Sequence, residues 1–269
     1  MSKNAFILGS LLFFSCTGSK LLHLTERQSG AVGGNAFYKL IAAMKWNERE
    51  PLIQKEILSG NVPGFLRKMV PVHTSIRDSS GKKINCTYFV LPDYLSIGSD
   101  ADFARVPMTP MSAQLIADSL HCFLPTRKMV NDIYTSARIR PEPLPMFAFR
   151  DSPVSFYQHH LMIEGQRKGR SGLIAGIKKD VVLTSKINSD PKPNRVAIYG
   201  WHKLDGTPIQ PLYTGHVNWY VDYSHGIRLI YHLIVVDGKQ LDYTTILRDP
   251  VLKALLCDEV DCSFLRYSY

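Results

Sequence analysis

Apolar residues recur at helical spacing through the first half of the chain. The pattern predicts helices over residues 35–46, 50–59, 109–120, 126–137 and 156–168. Thr109 and Thr126 stand where N-caps are expected, because a threonine hydroxyl accepts a hydrogen bond from an unpaired N–H of the first helical turn. Residues 70–90 instead alternate around a polar turn and predict a β-hairpin.

The second half of the chain changes to β-branched runs separated by Gly, Pro and Asp turns. From Leu173 onward these runs predict a sheet, followed by a short helix over 249–256. Prolines make residues 140–153 a stiff, extended connector between the halves. The order predicts an α+β fold, in which a helical N-terminal half packs on a mostly antiparallel C-terminal β-sheet that the hairpin could join. We expect one domain over 17–269, with the connector as the alternative boundary.

The first residues have the pattern of an export signal. Lys3 supplies a positive start, and residues 5–14 form an apolar run that is too short to span a bilayer as a stable helix. This pattern predicts a signal peptide over 1–16. Cys16 follows Phe-Phe-Ser and resembles a lipoprotein cleavage site, where it would carry a lipid anchor; the alternative is ordinary cleavage just beyond it. We expect a periplasmic protein, a lipoprotein tethered to the outer membrane, or a secreted protein.

Composition fits a globular protein and narrows the class of partner. Apolar residues make up 45% of the chain and charged residues 20%, which excludes a disordered chain. The net charge is +9, but the basic residues are dispersed, and no run of them resembles a nucleic-acid-binding arm. The charge suits an acidic partner such as an envelope polymer or an acidic glycan, although a solvated basic surface is the simpler explanation.

Export would place the cysteines in an oxidising compartment. Apart from Cys16, the chain contains Cys86, Cys122, Cys257 and Cys262. Cys257 and Cys262 are close enough in sequence to pair, which leaves Cys86 and Cys122 as a second candidate pair. Four cysteines permit three connectivities, and the sequence alone does not choose among them.

Ionisable and aromatic residues concentrate between Lys178 and Ile230, on the predicted sheet. Imidazoles supply general bases or metal ligands at neutral pH, carboxylates orient them, and basic side chains hold anionic groups. We predict one cleft that brings together the candidate catalytic residues His202, His225, Asp222 and Arg228. The candidate substrate-binding residues around this cleft are Tyr199, Trp201, His216, Tyr223 and Lys179.

Strand geometry sets a condition on this cleft. A regular strand would place Asp222 and His225 on opposite faces, so both reach one cleft only if the chain bends near Ser224 or Gly226. The alternative is a strand end with a hydrogen-bonded histidine.

The sequence is compatible with a metal site and with its absence. The spacing of the three histidines matches no short metal motif, but side chains from separate strands can converge on zinc. Zinc is therefore the candidate cofactor, and the metal ligands are unknown.

Several segments resemble a group of uncharacterised exported bacterial proteins. They are REPLIQKEILSGNVPGFLR (49–67), LPDYLSIGSDADF (91–103), LPTRKMV (124–130), GIKKDVVLT (176–184) and YGWHKLDGTPIQPLYTGHVNWYVDYSHGIRL (199–229). The resemblance covers nearly the whole mature chain. It implies one integrated domain and an extracytoplasmic role, and it implies no activity.

A second resemblance is local. SHGIRL (224–229) is similar to the SHGC-[IV]-R-L motif of L,D-transpeptidases, which cross-link peptidoglycan through that cysteine. His202 could stand where that family has its own upstream histidine. However, Ile227 follows Gly226 directly, so the nucleophile is missing and transpeptidation in the family's manner is excluded.

These patterns together predict an exported cell-envelope protein. The first interpretation is a hydrolase that acts on peptidoglycan or another extracellular polymer through a histidine-rich site. The alternatives are a lyase for acidic polysaccharide, in which Tyr and His act as base and acid while Arg and Lys neutralise the uronate, and a non-catalytic envelope-binding protein.

Overall fold

The computed structural model describes residues 20–269. The expected signal segment over 1–16, including Cys16, lies outside the described residues. The helices are α1 (Gly34–Ile41), α2 (Trp46–Leu58), α3 (Pro110–Ser119), α4 (Arg127–Ser136), α5 (Pro153–Arg167) and α6 (Tyr243–Arg248). The first strands are β1 (Val70–Arg77), β2 (Lys83–Val90), β3 (Ser96–Gly98), β4 (Phe103–Arg105), β5 (Cys122–Phe123) and β6 (Lys179–Val181). The later strands are β7 (Arg195–His202), β8 (Pro208–Val217), β9 (His225–Gly226), β10 (Ile230–Tyr231), β11 (Leu233–Val236) and β12 (Lys239–Asp242).

All five helices predicted for the first part of the chain are present. The predicted caps are confirmed, because the Thr109 hydroxyl accepts from the Ser112 N–H at 3.2 Å and the Thr126 hydroxyl accepts from the Met129 N–H at 3.3 Å. The short helix predicted over 249–256 is present only as a 3-10 helix over Leu252–Leu255. α6 begins earlier, where the Asp242 carboxylate accepts from the Thr244 N–H at 2.9 Å, and it ends before Pro250, which a helix interior does not tolerate.

The strands form two main sheets, which confirms the α+β fold. The β1–β2 hairpin pairs from Val70–Val90 to Arg77–Lys83, as predicted, and it joins β5, β10, β11 and β12 in one sheet. The second sheet has the order β8-β7-β6-β9, in which β6 and β9 are parallel and the other pairs antiparallel. α4 contacts β1 of the first sheet and β7 of the second. The main hydrophobic cluster runs from Leu22 to Tyr267 and takes residues from both halves.

The proline-rich connector contains no helix or strand between 140 and 152, as expected. It lies against the second sheet. The Tyr223 hydroxyl accepts from the Met146 N–H at 2.6 Å, and the Arg150 carbonyl accepts from the Tyr223 N–H at 2.8 Å. These contacts hold the connector beside the turn that precedes β9.

Of the two candidate disulfides, one is present. Cys257 and Cys262 form a disulfide, whereas Cys86 and Cys122 are buried free thiols. The second pair cannot form because β10 lies between β2 and β5, and a separation of two strands, roughly 9–10 Å, exceeds the reach of a disulfide. Within residues 20–269, none of the helices is both long and apolar enough to cross a membrane.

Candidate functional site

A tight turn before β9 brings His225 back towards Asp222. The His225 N–H donates to the Asp222 carbonyl at 3.1 Å, and His225 Nε2 lies 4.0 Å from Asp222 Oδ1. The Ser224 N–H donates to the same carboxylate oxygen at 2.7 Å, and the Ser224 hydroxyl donates to it as well. The chain therefore bends at Ser224. This is the bend that the predicted cleft required, because a regular strand would place Asp222 and His225 on opposite faces.

Burial and charge fix the protonation of this pair. Burial lowers the pKa of His225 to about 4, although the Asp222 carboxylate opposes that shift. Burial alone would raise the pKa of Asp222, but the attraction of His225 and the hydrogen bonds from Ser224 bring it down to about 2. At neutral pH, His225 is thus a neutral imidazole beside an ionised carboxylate, which is the form that a general base requires.

Two cations flank the pair. Arg150 Nη2 donates to Asp222 Oδ2 at 3.0 Å from a side chain that is 42% exposed. Lys179 on β6 is the direct partner of His225 on β9, so both side chains leave the same face of the sheet. Burial lowers the pKa of Lys179, and the Asp222 charge opposes the shift.

Buried nitrogen atoms beside Lys179 lack partners. Within residues 20–269, neither His225 Nε2 nor Trp201 Nε1 makes a hydrogen bond, although both are buried. Lys179 Nζ lies 5.3 Å from the centroid of the Trp201 ring, so these groups share one region. Trp201 also has a left-handed backbone (φ 56°), a strained conformation that is concentrated at functional sites. The Trp201 N–H, as a buried donor without a partner, suits an oxygen atom of a ligand.

The rings of His216 and Tyr220 lie close to the buried His225. Their ring centroids lie 6.0 Å and 6.1 Å from that of His225, and both side chains are partly exposed, whereas His225 is 1% exposed. Tyr220 also lines a cavity of about 550 Å³, together with Trp219 and Val221. Asp222 and His225 do not line this cavity themselves, and Tyr220 connects it to the buried pair.

Tyr223 packs against Trp201 beside this site. Their rings meet edge to face at 6.3 Å between centroids. The Tyr223 hydroxyl is engaged by the connector at Met146, so Tyr223 positions the chain rather than offering a free hydroxyl. The ammonium of the fully buried Lys178 donates to the Tyr223 carbonyl, and its Nζ lies 3.0 Å from His159 Nδ1. Burial lowers the pKa of Lys178 to about 7.

His202 and Tyr199 belong to a different group of side chains. His202 Nε2 lies 3.1 Å from Asn131 Oδ1, and the Tyr199 hydroxyl donates to that same oxygen at 2.9 Å. The His202 ring stacks on Tyr134 at 4.4 Å between centroids. These residues line a separate cavity of about 410 Å³ against α4, so the structure does not bring them into contact with His225.

Hydrogen bonds and ring packing hold the Arg228 side chain in the protein interior. Its guanidinium donates to the carbonyls of Leu91 at 2.8 Å and Ile174 at 2.7 Å, and it packs on the Tyr94 ring. Asp180 Oδ1 lies 3.9 Å from Arg228 Nε. Arg228 is 1% exposed, so its donors are committed to the protein interior.

Neither a thiol nor a metal centre accompanies the pair. Ile227, which follows Gly226 where the transpeptidase motif has its cysteine, is fully buried in the hydrophobic core. No three His, Cys, Asp or Glu side chains in the described part of the chain are grouped so that they could hold a metal ion. The convergence of three histidines on zinc, which the sequence left open, is therefore not found among these residues.

The site also contains Arg150 and Tyr220, which were not among the candidate residues predicted from the sequence. Arg150 lies in the connector, and no local pattern indicates that the connector folds back on Asp222. Tyr220 had a signal, because it belongs to an aromatic stretch immediately before Asp222.

The chain matches no known family model, no curated protein and no solved structure. A function for the chain therefore rests on the geometry of the site itself.

Proposed function

We propose that the chain is a hydrolase that acts on peptidoglycan or another extracellular polymer, with His225 as general base. The observation that carries the proposal is the neutral, buried imidazole of His225 beside the ionised Asp222, next to Tyr220, which lines an open cavity. A carboxylate beside an imidazole stabilises the imidazolium that forms when the base takes a proton.

Hydrolysis of an amide linkage fits the groups at this site. His225 takes a proton from water, and the resulting hydroxide adds to the carbonyl carbon. The Trp201 N–H, a buried donor without a partner among the described residues, and the positive charge of Lys179 beside it stabilise the oxyanion. When the carbon–nitrogen bond breaks, imidazolium returns the proton to the leaving amine. Ser224 is not the nucleophile in this scheme, because its buried hydroxyl is committed to Asp222.

We further propose that this activity is exerted in the cell envelope or outside the cell. The basic and apolar start of the sequence supports export. The Cys257–Cys262 disulfide fits an oxidising compartment.

A lyase for acidic polysaccharide is the second candidate, favoured by Tyr220. Its ring lies 4.7 Å from His216 and 6.1 Å from His225, and lyases of this type pair Tyr with His as base and acid. Arg150 and Lys179 would neutralise the uronate carboxylate.

The test compares wild-type protein with His225→Asn and with His73→Asn, a matched change at an exposed histidine on β1. Each is incubated with purified peptidoglycan and with polygalacturonate. Hydrolysis releases new amino or reducing groups, whereas a lyase produces the unsaturated-sugar chromophore. We expect hydrolysis by wild type and His73→Asn, and a loss of at least a hundredfold in His225→Asn. Chromophore release would select the lyase, and binding without turnover would select the non-catalytic protein.

A further inference from the structure

The cavity beside Tyr220 has an unusual charge arrangement. It lies between the first turn of α2, the first turn of α5 and the segment after β8. Lys45 and Arg49 contribute cationic side chains to its wall, and the exposed Asp151 contributes a carboxylate. At about 550 Å³, it falls within the range of roughly 300–1,000 Å³ that is typical of small-molecule sites.

Arg49 is a buried cation whose charge is not neutralised by a contact. It is 4% exposed, and within residues 20–269 its Nε has no hydrogen-bond partner. Its guanidinium packs against the Phe156 ring, at 5.1 Å from the centroid. The neighbouring Glu50 carboxylate attracts Arg49 electrostatically, but among the described residues it makes no ion pair with Arg49 and accepts hydrogen bonds from the Thr109 N–H and hydroxyl instead. A buried guanidinium without a partner favours an anion supplied from outside.

The start of α5 adds to the positive potential. Ser152 and Pro153, the N-cap and first residue of this 15-residue helix, line the same cavity. A helix N-terminus carries a partial positive charge and attracts anions. The carboxylate of the exposed Asp151 attracts the Arg49 guanidinium, but water and salt screen its charge, and no ion pair joins the two side chains in the described part of the chain.

Tryptophans border the cavity on two elements. Trp46 begins α2 and is 39% exposed, and Trp219 follows β8 and is 43% exposed. Exposed indoles are apolar faces with one N–H donor, so they pack against the C–H face of a pyranose while donating to its hydroxyls. A ring with an apolar face and a carboxylate therefore matches this wall better than a compact inorganic anion.

We propose that this cavity is a binding subsite for a carboxylated sugar unit, with Arg49 holding the carboxylate and Trp46 and Trp219 packing against the ring. The inference deepens the proposed function and rests on it in one respect: Tyr220 lines the cavity and touches the His216–His225 group, which places the bound sugar next to the proposed general base.

The test measures binding by calorimetry in the His225→Asn background, so that turnover does not consume the probe. The carboxylated probes are N-acetylglucosaminyl-N-acetylmuramic acid and trigalacturonate, and the neutral counterparts are chitobiose and galactotriose. We expect each carboxylated probe to bind at least tenfold more tightly than its counterpart. Which of the two binds better identifies the polymer.

Variants at the cavity locate the binding. Arg49→Met keeps the packing on Phe156 but removes the charge, and Trp219→Ala removes a side chain that is 43% exposed. We expect each to weaken binding of the carboxylated probes at least tenfold, whereas Arg138→Gln, at an exposed arginine outside the cavity, leaves it unchanged.

Equal affinity for carboxylated and neutral probes, no binding by the folded protein, or full binding by both cavity variants would overturn the inference. Because binding is measured without turnover, a failure of the hydrolase proposal leaves this result interpretable. Conversely, His225-dependent hydrolysis with unchanged activity in both cavity variants would retain the hydrolase and remove the subsite.

Discussion

Lys179 and His225 are direct partners across the parallel β6–β9 ladder, so an ammonium and an imidazole leave the same face of the sheet side by side. Burial is the main reason that the pKa of His225 falls to about 4, and the Lys179 charge adds to the shift while Asp222 opposes it. Burial, with a smaller contribution from the Lys179 charge, therefore keeps His225 deprotonated through the physiological pH range.

The first prediction concerns this control of His225. Lys179→Met removes a positive charge beside the imidazole, so we expect the pKa of His225 to rise above 4. Asp222→Asn removes the opposing negative charge, so we expect the pKa to fall. NMR titration of the histidine ring protons measures both shifts, with Lys82→Met, at an exposed lysine of the β1–β2 turn, as the control. Identical His225 titrations in all four proteins would contradict the proposed coupling.

The second prediction links His225 to the pH dependence of stability. Its pKa is lowered from the unfolded value of about 6.5 to about 4 on folding. As the pH falls from 6.5 towards 4, the unfolded chain binds a proton that the folded protein does not accept, so the stabilisation present above pH 6.5 is lost. Each such histidine contributes up to about 1.4 kcal/mol per pH unit.

Other buried groups also titrate, and Asp180, whose pKa burial raises to about 7, acts in the opposite direction over this range. The comparison is therefore between wild type and His225→Asn by urea unfolding at pH 7 and pH 5. We expect wild type to lose more free energy of unfolding than the variant does. Equal losses in the two proteins would show that His225 titrates normally in the folded state.

The third prediction concerns the thiols. In Cys16→Ser protein unfolded without reductant, we expect Cys86 and Cys122 to react with a thiol reagent and the Cys257–Cys262 pair to remain protected. In the folded protein both thiols should react slowly, because each is buried, and burial raises the pKa of Cys86 to about 12. Labelling with reductant, which should find four thiols, is the control. A count of zero without reductant would mean that Cys86 and Cys122 pair.

Much of the fold follows from local patterns. The capping threonines and helical periodicity located α3 and α4, and alternation around a polar turn located the β1–β2 hairpin. These signals act over a few residues, so they can be read along the chain. The pairing of β2 with β10 and β11 depends instead on contacts between distant segments, which no local pattern encodes.

The candidate site was predictable only in part, for the same reason. Asp222 and His225 are three positions apart, and a turn at Ser224 suffices to bring them together. Arg228 was expected in the cleft because guanidinium groups bind anions, but it follows β9 into the core, where two backbone carbonyls take its donors. Whether an arginine binds an anion in a cleft or donates to backbone carbonyls in the core depends on its burial. The burial of a single arginine cannot be predicted from composition.

The fourth prediction separates the two histidines that the sequence placed in one cleft. His202 stacks on Tyr134 and lies 3.1 Å from Asn131 Oδ1, in a cavity apart from Asp222. Burial lowers its pKa to about 4, so it is a neutral ring at pH 7, and its contacts are mostly aromatic packing.

His202→Phe retains the ring and its stacking on Tyr134 and removes one hydrogen bond, so we expect a loss of about 1 kcal/mol in the free energy of unfolding. Turnover of the polymer should stay within about twofold of wild type, because His202 does not contact His225 in this structure. The measurement pairs urea unfolding with the hydrolysis assay, and His225→Asn serves as the comparison, with activity lost and the fold retained. If His202→Phe abolishes turnover while its unfolding curve matches that of wild type, the chemistry belongs to the cavity against α4 and the assignment of His225 fails.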